Sequence, residues 1–167
     1  MKILGIDPGT ATTGYGIIEA NFSKDSLRSV KFGAIKTSAS STPQERLYRI
    51  YKELNKLKKY KPEVLAIEKL YFFKNKKTAI AVSQAKGVIL FWAGRNKIPV
   101  YEFTPLEVKM GIIGYGRAKK IQIQRMVKHL LKLEELPKPD DVADALAIAI
   151  CCFYYLKNSC KRCEKQS

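Results

Sequence analysis

With 167 residues, 46% of them hydrophobic, the chain is large enough for one domain with a substantial core, and its composition excludes a disordered protein. It contains no run of roughly 18 apolar residues and no signal-peptide pattern, so we expect a soluble protein of the cytoplasm. Lysine and arginine number 31 against 15 acidic residues, and the net charge of +16 predicts a polyanionic partner. Nucleic acid fits better than a membrane surface, because no basic amphipathic helix is evident.

The first predicted element is a strand-turn-strand unit. An apolar run at residues 3–6 ends in the turn Asp7-Pro8-Gly9, and residues 14–18 resume as a second strand, which predicts a hairpin. An acid at the end of a buried strand is costly to ionise unless it is hydrogen-bonded, paired with a cation or bound to a metal. Asp7 is therefore either the cap of its own turn or a catalytic carboxylate.

Strands and helices then alternate along the chain. Residues 27–36 predict a third strand, and Thr42-Pro43-Gln44-Glu45 is a capping box that begins a helix ending before Pro62. A fourth strand is predicted at residues 64–68. It is followed, in residues 69–77, by three aromatic residues set among four lysines.

The second half of the chain is mostly helical. A helix is predicted from about residue 78 to 96, a fifth strand at 99–103, and a short helix after the capping box Thr104-Pro105-Leu106-Glu107. A helix from about 118 to 131 and a last helix from Asp140 onwards complete the pattern.

This order predicts an α/β fold built on a five-stranded mixed sheet. Three antiparallel strands are followed by strand-helix-strand units, and helices flank the sheet. We expect a single domain over residues 1–157 and a basic, flexible tail over residues 158–167.

Two strands share one design. Leu-Gly-Ile-Asp, ending at Asp7, and Leu-Ala-Ile-Glu, ending at Glu68, both place an apolar residue, a small residue and Ile before a carboxylate. If the two strands are parallel neighbours, both acids emerge at the carboxyl edge of the sheet, where open α/β sheets place their sites. Two acids meeting there in a basic protein indicate a metal.

The last helix carries more acids. Asp141 and Asp144 are three residues apart and share one helix face, and the alanine-rich run after Asp144 would let the helix approach the sheet closely. Asp140, and possibly Asp141, also suit a purely capping role in the first turn. With Asp7 and Glu68, Asp141 and Asp144 could hold two divalent ions about 4 Å apart for phosphodiester hydrolysis.

The metal would be a hard one. His129 is the only histidine in the chain, so any metal chemistry rests on carboxylates, which favours Mg²⁺ or Mn²⁺. Cys160 and Cys163 have zinc-ligand spacing, but a structural zinc site needs four ligands. Reduced thiols are therefore the favoured interpretation of the cysteines.

Three further segments are open to two interpretations each. The aromatic-lysine loop, with Tyr71, Phe72 and Lys74, suits stacking on unpaired bases or folds back on the core. The glycine-rich basic loop at 114–120, with the cations Arg117, Lys119 and Lys120, suits phosphate binding or is a connector. Residues 88–93 are apolar all round, either because they lie in the core or because they meet a partner.

Several motifs together resemble one family. In order and at the family's spacing, from Met1 to about Ile150, the sequence resembles the RuvC family of Holliday-junction resolvases in the motifs Gly5-Ile6-Asp7-Pro8-Gly9, Thr13-Gly14-Tyr15-Gly16, Ala66-Ile67-Glu68, Gln84-Ala85-Lys86-Gly87-Val88 and Ala143-Asp144-Ala145-Leu146-Ala147-Ile148-Ala149. The resemblance implies an RNase H-like fold and a homodimer that nicks two strands of four-way junction DNA symmetrically. It also implies dependence on Mg²⁺ and action alongside the RuvAB branch-migration complex.

The resemblance also implies roles for individual residues. Asp7, Glu68, Asp141 and Asp144 match the four catalytic acids of the family. Tyr71 stands where the family usually has a phenylalanine that stacks near the crossover, so that any one of Tyr71, Phe72 and Phe73 could be the stacking residue. Lys109 and Lys120 match basic residues close to the scissile phosphate. Further departures are Lys86, where arginine is common, the extra acid Asp140 and the cysteine-bearing tail.

Three other functions compete with junction resolution. One is a nuclease of the same fold that acts on RNA. Another is a sugar-kinase or actin-like ATPase, since Asp7-Pro8-Gly9-Thr10 resembles the phosphate motif of that superfamily, but one domain cannot build its two-lobed cleft and no adenosine-binding glycine motif is present. The third, a DNA-binding module without catalysis, would have no use for four converging acids.

Overall fold

The computed structural model of the protein describes residues 1–69 and 76–164, with side chains placed for residues 1–69 and 79–159. In this part of the chain the strands are β1 (Lys2–Asp7), β2 (Thr12–Asn21), β3 (Ser26–Lys36), β4 (Val64–Glu68) and β5 (Val100–Phe103). The helices are α1 (Pro43–Leu57), α2 (Lys76–Arg95), α3 (Pro105–Ile113), α4 (Lys120–Leu131) and α5 (Asp140–Glu164). A single 3₁₀ turn, Lys58–Tyr60, follows α1.

The strands form one sheet in the order β3-β2-β1-β4-β5. β1 pairs antiparallel with β2, and β2 with β3, whereas β4 runs parallel to both β1 and β5. The predicted mixed sheet of three antiparallel strands followed by strand-helix-strand units is thereby confirmed.

Each face of the sheet has its own core because side chains alternate along a strand. In β1, Leu4 and Ile6 belong to the core on the α1 and α2 face, whereas Ile3 belongs to the core formed with α3, α4 and α5. In β4 the same alternation sends Leu65 and Ile67 to the α1 and α2 face. The residues in phase with Ile3 therefore face α5. They include the last residue of β1, Asp7, and the corresponding last residue of β4, Glu68.

The helix starts follow the predicted caps. Thr42 and Thr104 each form a capping box: the Glu45 carboxylate accepts from the backbone N–H of Thr42 at 2.8 Å, and Glu107 accepts from that of Thr104 at 2.7 Å. α4 begins at Lys120, two residues later than predicted, because Lys119 is extended and its N–H is held by the Gln122 side chain at 2.7 Å.

The last helix is longer than the sequence suggested. α5 continues to Glu164, so the segment predicted as a tail from residue 158 is helical backbone as far as that residue. The buried residues of the α5 core extend to Phe153, which explains why the apolar pattern fades before the helix does.

None of the helices among the described residues combines the length and the apolar character needed to cross a membrane.

Candidate active site

Asp7 and Glu68 lie side by side at the carboxyl edge of the sheet. β1 and β4 are parallel, with Gly5 opposite Ala66 and Ile6 opposite Ile67, so the next residue of each strand is a carboxylate. Both acids are in phase with the small residue two positions earlier and face α5. The repeated pattern of small residue, Ile and acid thus places two carboxylates on one face, directly beyond a flat patch that a helix can cover.

α5 lies on that patch at unusually short range. An added Cβ on Gly5 would lie 2.1 Å from the carbonyl oxygen of Ala145, and one on Gly14 would lie 1.9 Å from that of Asp141. A Cβ on Gly16 would meet the Leu146 side chain at 2.4 Å. Only glycine leaves room for the helix backbone here, and this close approach brings the first turns of α5 to the edge where Asp7 ends β1.

The environment of Asp7 combines burial with like charge. Burial raises the pKa of Asp7 to about 8, and the negative charges of Glu68, Asp144 and Asp141 add to the rise. A side-chain hydrogen bond with Glu68 adds to this rise in the pKa of Asp7. The four acids predicted from the sequence are therefore close enough to influence one another.

Two further carboxyls, those of Glu68 and Asp144, have pKa values raised in the same direction. Burial raises the pKa of Glu68, helped by the charge on Asp144 and opposed by the hydrogen bond with Asp7 and by the ammonium groups of Lys86 and Lys120. Burial also raises the pKa of Asp144, although the hydrogen bond and charge of Lys120 oppose the rise. A site that penalises its own negative charge in this way favours a cation.

Lys120 already supplies a positive charge at the site. Its Nζ lies 2.9 Å from Asp144 Oδ2 and 3.4 Å from Asp140 Oδ2. Burial lowers the pKa of Lys120, but its contacts with Asp144 and Asp140 outweigh that effect and the pKa lies above the ordinary value. Asp140 also accepts a hydrogen bond from Gln124 Nε2 at 2.9 Å, so this extra acid belongs to the rim rather than to the cluster.

A cleft of about 250 Å³ opens beside the carboxylates. Its polar lining consists of Glu68, Asp144, Lys109 and Lys120, and its apolar lining consists of Pro105, Val108, Ala147 and Ile148. The structure thus brings Lys109 and Lys120, the two lysines singled out from the sequence, to the same cleft as two of the acids.

The loop after β1 is fixed by a contact that the sequence did not reveal. The fully buried Thr13 donates its hydroxyl to the carbonyl oxygen of Gly9 at 2.6 Å, which ties the turn after Asp7 to β2. An added Cβ on Gly9 would lie 2.1 Å from the carbonyl oxygen of Thr12, so the turn is as tight as glycine allows. The signal in the sequence was the glycine-threonine content of residues 9–14, which also suits an ordinary hairpin.

The donor set fits a hard divalent cation. The clustered carboxylates offer only oxygen donors, and a lysine ammonium lies among them as a cation. Among the described residues no three histidine, cysteine, aspartate or glutamate side chains stand in a metal-ligating arrangement. An ion would therefore draw the carboxylates away from their contacts with each other and with Lys120.

The remaining predicted contacts fall into two groups. Arg117 and Lys119 are exposed on the loop between α3 and α4, which leads directly to Lys120, and Lys109 is half-buried on α3. The predicted contacts Tyr71, Phe72 and Lys74 lie outside the described residues, as do the side chains of Cys160 and Cys163.

Comparison with known sequences gives one consistent family. The model of the crossover junction endodeoxyribonuclease RuvC family matches residues 3–152. A protein of that name from Caldicellulosiruptor saccharolyticus is 53% identical over 152 residues, covering 90% of this chain and 91% of the relative. Another, from Fusobacterium nucleatum, is 55% identical over 151 residues, covering 90% of this chain and 78% of the relative.

Comparison with solved structures agrees. The Thermus thermophilus RuvC structure superposes with a TM-score of 0.87 at 34% identity, covering 95% of this chain and 97% of that one. T. thermophilus RuvC in complex with Holliday junction substrate gives 0.85 at 32% identity, covering 94% and 96%. The yeast mitochondrial Holliday junction resolvase Ydc2, at 17% identity and a TM-score of 0.63 with 96% of this chain and 85% of that one covered, shares the fold.

Proposed function

Because this chain belongs to the RuvC family of crossover junction endodeoxyribonucleases, we propose that it resolves four-way DNA junctions by paired, symmetric hydrolysis of one phosphodiester in each of two strands. The observation that carries the proposal is the convergence of acids from β1, β4 and α5, with raised pKa values at Asp7, Glu68 and Asp144, on the cleft of a strongly basic protein. The cut would serve recombination and repair.

The carboxylates Asp7, Glu68, Asp141 and Asp144 would hold Mg²⁺, with Mn²⁺ as a plausible substitute and two ions per site. Bound there, the metal supplies Lewis-acid stabilisation of the charge that develops on the phosphate and activation of the attacking water. Asp7 and Glu68 are partly buried where α5 packs on the sheet, which strengthens their electrostatic interaction with a bound cation.

Lysine side chains in the cleft would hold the DNA backbone at the carboxylates. Lys120 is half-exposed and forms an ion pair with Asp144. Its ammonium group could contact a phosphate oxygen instead once the carboxylates bind a metal. Lys109 reaches the same cleft from α3. Arg117 and Lys119, exposed on the adjoining loop, extend this positive surface and would contact neighbouring phosphates.

Paired incision implies a second copy of the site, which an isologous homodimer supplies. In the segment where core and partner roles were both open, Ile89, Trp92 and Ala93 are buried, so core packing explains most of its apolar character. Phe91, in contrast, is 61% exposed on α2, and Ile80 on the same helix is 60% exposed.

These two residues belong to one outward-facing strip. Ile80, Gln84, Gly87 and Phe91, hereafter the α2 strip, recur at the spacing of one helix face. A Cβ on Gly87 would have no atom within 4 Å, so a partner helix could approach closely there. We assign the α2 strip as the dimer contact.

Two further proposals, one for a partner complex and one for the cellular location, follow from the family and from the chemistry. We include the RuvAB branch-migration complex as a partner, because branch migration presents the junction that this activity would cut. We also propose a cytoplasmic location, the compartment expected for a nuclease whose substrate is junction DNA.

A synthetic four-way junction, incubated with and without Mg²⁺, tests the function directly. We expect symmetric nicks in two opposing strands only with the metal, and none in a linear duplex or in an RNA junction of the same sequence. Cleavage of the RNA junction alone would instead make this chain an RNA-processing nuclease.

Asp144→Asn tests the site in the same assay. The amide keeps the shape but loses the anionic ligand, so nicking should fall at least about a hundredfold. Junction binding should persist or strengthen, because one negative charge facing a polyanion is gone. Nicking at the rate of the unsubstituted protein would exclude the four-carboxylate site.

A further inference from the structure

A buried lysine lies behind the carboxylate cluster. Lys86, on α2, is only 8% exposed, and it is the one charged residue among the buried residues of the described part of the chain. Burying an ammonium group is costly unless ionic and hydrogen-bond partners compensate. The groups that compensate this charge therefore determine what Lys86 holds in place.

Both partners of Lys86 lie at the edge of the sheet where the acids emerge. Its Nζ is 2.7 Å from Glu102 Oε2 on β5 and 3.2 Å from the backbone carbonyl oxygen of Glu68, the last residue of β4. Glu102 pairs with Ile67 in the β4–β5 ladder, so both contacts are made to adjacent strands. Lys86 thus joins α2 to the ends of β4 and β5.

β4 ends at Glu68, the residue whose carboxylate joins the cluster. Among the described residues, its last contacts with β5 are the pairing of Glu68 with Phe103 and the bond from the N–H of Lys69 to the carbonyl oxygen of Phe103 at 2.8 Å. The Glu68 carboxylate faces α5 and the cluster, while its peptide carbonyl is held from the α2 side. The position of a carboxylate depends on the position of the peptide that carries it. Displacements of about 1 Å are costly at a reacting centre.

We propose that Lys86 is a positioning residue: through the carbonyl of Glu68 and the carboxylate of Glu102 it fixes the end of β4, and thereby sets the Glu68 carboxylate for binding a divalent cation with the other acids. The inference rests on the proposed function, since it assigns Glu68 to the metal site.

The test uses the full-length protein and Mn²⁺ alone, with free Mn²⁺ measured by electron paramagnetic resonance in the absence of DNA. Lys86→Met keeps the length and apolar stem of the side chain but removes the ammonium. We expect the Kd for Mn²⁺ to rise about tenfold or more, the range typical of groups that orient metal ligands. Lys86→Arg, which keeps the charge and the donors, should bind within about threefold of the unsubstituted protein.

Two further variants separate positioning from stability and from net charge. Lys86→Met combined with Glu102→Met removes the whole ion pair and leaves no orphan charge, so it should fold even if the single variant does not. The double variant should still show the weakened Mn²⁺ binding that is expected of Lys86→Met. Lys31→Met removes an exposed lysine from the edge strand β3 and should leave the Kd unchanged.

The outcomes distinguish the inference from its premise. If the folded double variant binds Mn²⁺ as tightly as the unsubstituted protein, Lys86 is not a positioning residue. If Asp144→Asn binds Mn²⁺ and nicks junctions normally, the proposed site itself is wrong. Loss of both properties in Asp144→Asn, with normal Mn²⁺ binding in the Lys86 variants, would overturn the inference alone.

Discussion

Burial and the charges of three neighbouring carboxylates raise the pKa of Asp7 to about 8, which favours its protonated form at neutral pH in the absence of a metal. A cation that binds through Asp7 must displace that proton. Metal binding and proton release are therefore linked at this residue.

This linkage predicts the pH dependence of metal binding. Below the pKa, protons compete for Asp7, so the apparent affinity for Mn²⁺ should rise with pH, by up to about tenfold per pH unit, and level off above about pH 8. Titrations of the DNA-free protein with Mn²⁺ between about pH 6 and about pH 9 measure it. A constant affinity across this range would mean that Asp7 is already ionised at neutral pH.

At the scale of single residues, the acids were predictable but their partners were not. Asp7 and Glu68 each end an apolar strand and Asp144 faces inward from an alanine-rich helix, patterns that are local in sequence. The contact of Lys120 with Asp144 joins two helices, and no local pattern encodes it. Lys86 was noted only as a departure from the family's arginine, because a lysine in a helix normally indicates a solvated face.

At the scale of elements, the packing of α5 on glycines determines whether the site forms. The sequence predicted the hairpin, the last helix and the benefit of its alanines. It did not show that Gly5, Gly14 and Gly16 are required by the helix rather than by the hairpin. That information lies in the distance between α5 and the β1–β2 hairpin, which the periodicity of the sequence does not encode.

Gly14→Ala tests this packing. Its Cβ would lie 1.9 Å from the carbonyl oxygen of Asp141, so α5 must shift, and we expect a loss of about 1–3 kcal/mol of stability with a large loss of nicking. Gly94→Ala on α2 is the matched control, since its Cβ meets no atom within 4 Å and alanine favours a helix. Thermal unfolding and junction cleavage would be measured for both. Unchanged values for Gly14→Ala would show that α5 can move without consequence.

At the scale of the whole molecule, the net charge of +16 should dominate DNA binding. Each neutralised phosphate releases counterions, so the logarithm of junction affinity should fall linearly with the logarithm of salt concentration, with a slope of roughly −5 or steeper. Lys119→Gln should reduce the magnitude of the slope by about one. Fluorescence anisotropy over a salt series provides both values, and a nearly flat plot would exclude the basic surface as the binding surface.

Assembly is the second property at this scale. Phe91→Glu places a charge in the α2 strip and should give a folded monomer that no longer makes paired cuts. Leu106→Glu is the matched control for assembly, because Leu106 is 60% exposed on α3, about as much as Phe91, but lies outside the strip. Sedimentation at micromolar concentration should show a monomer only for Phe91→Glu. A dimeric Phe91→Glu would place the interface elsewhere.

The position of α5 also has a consequence for biosynthesis. The helix that completes the acid cluster covers β1 and β2, which leave the ribosome first, so the site joins residues about 137 positions apart, Asp7 and Asp144. Domains fold during synthesis only as their contacts become available. A nascent chain that has not yet emerged through α5 has no assembled cluster. We therefore expect that a chain released before α5 is complete would lack the acid cluster and would not nick DNA.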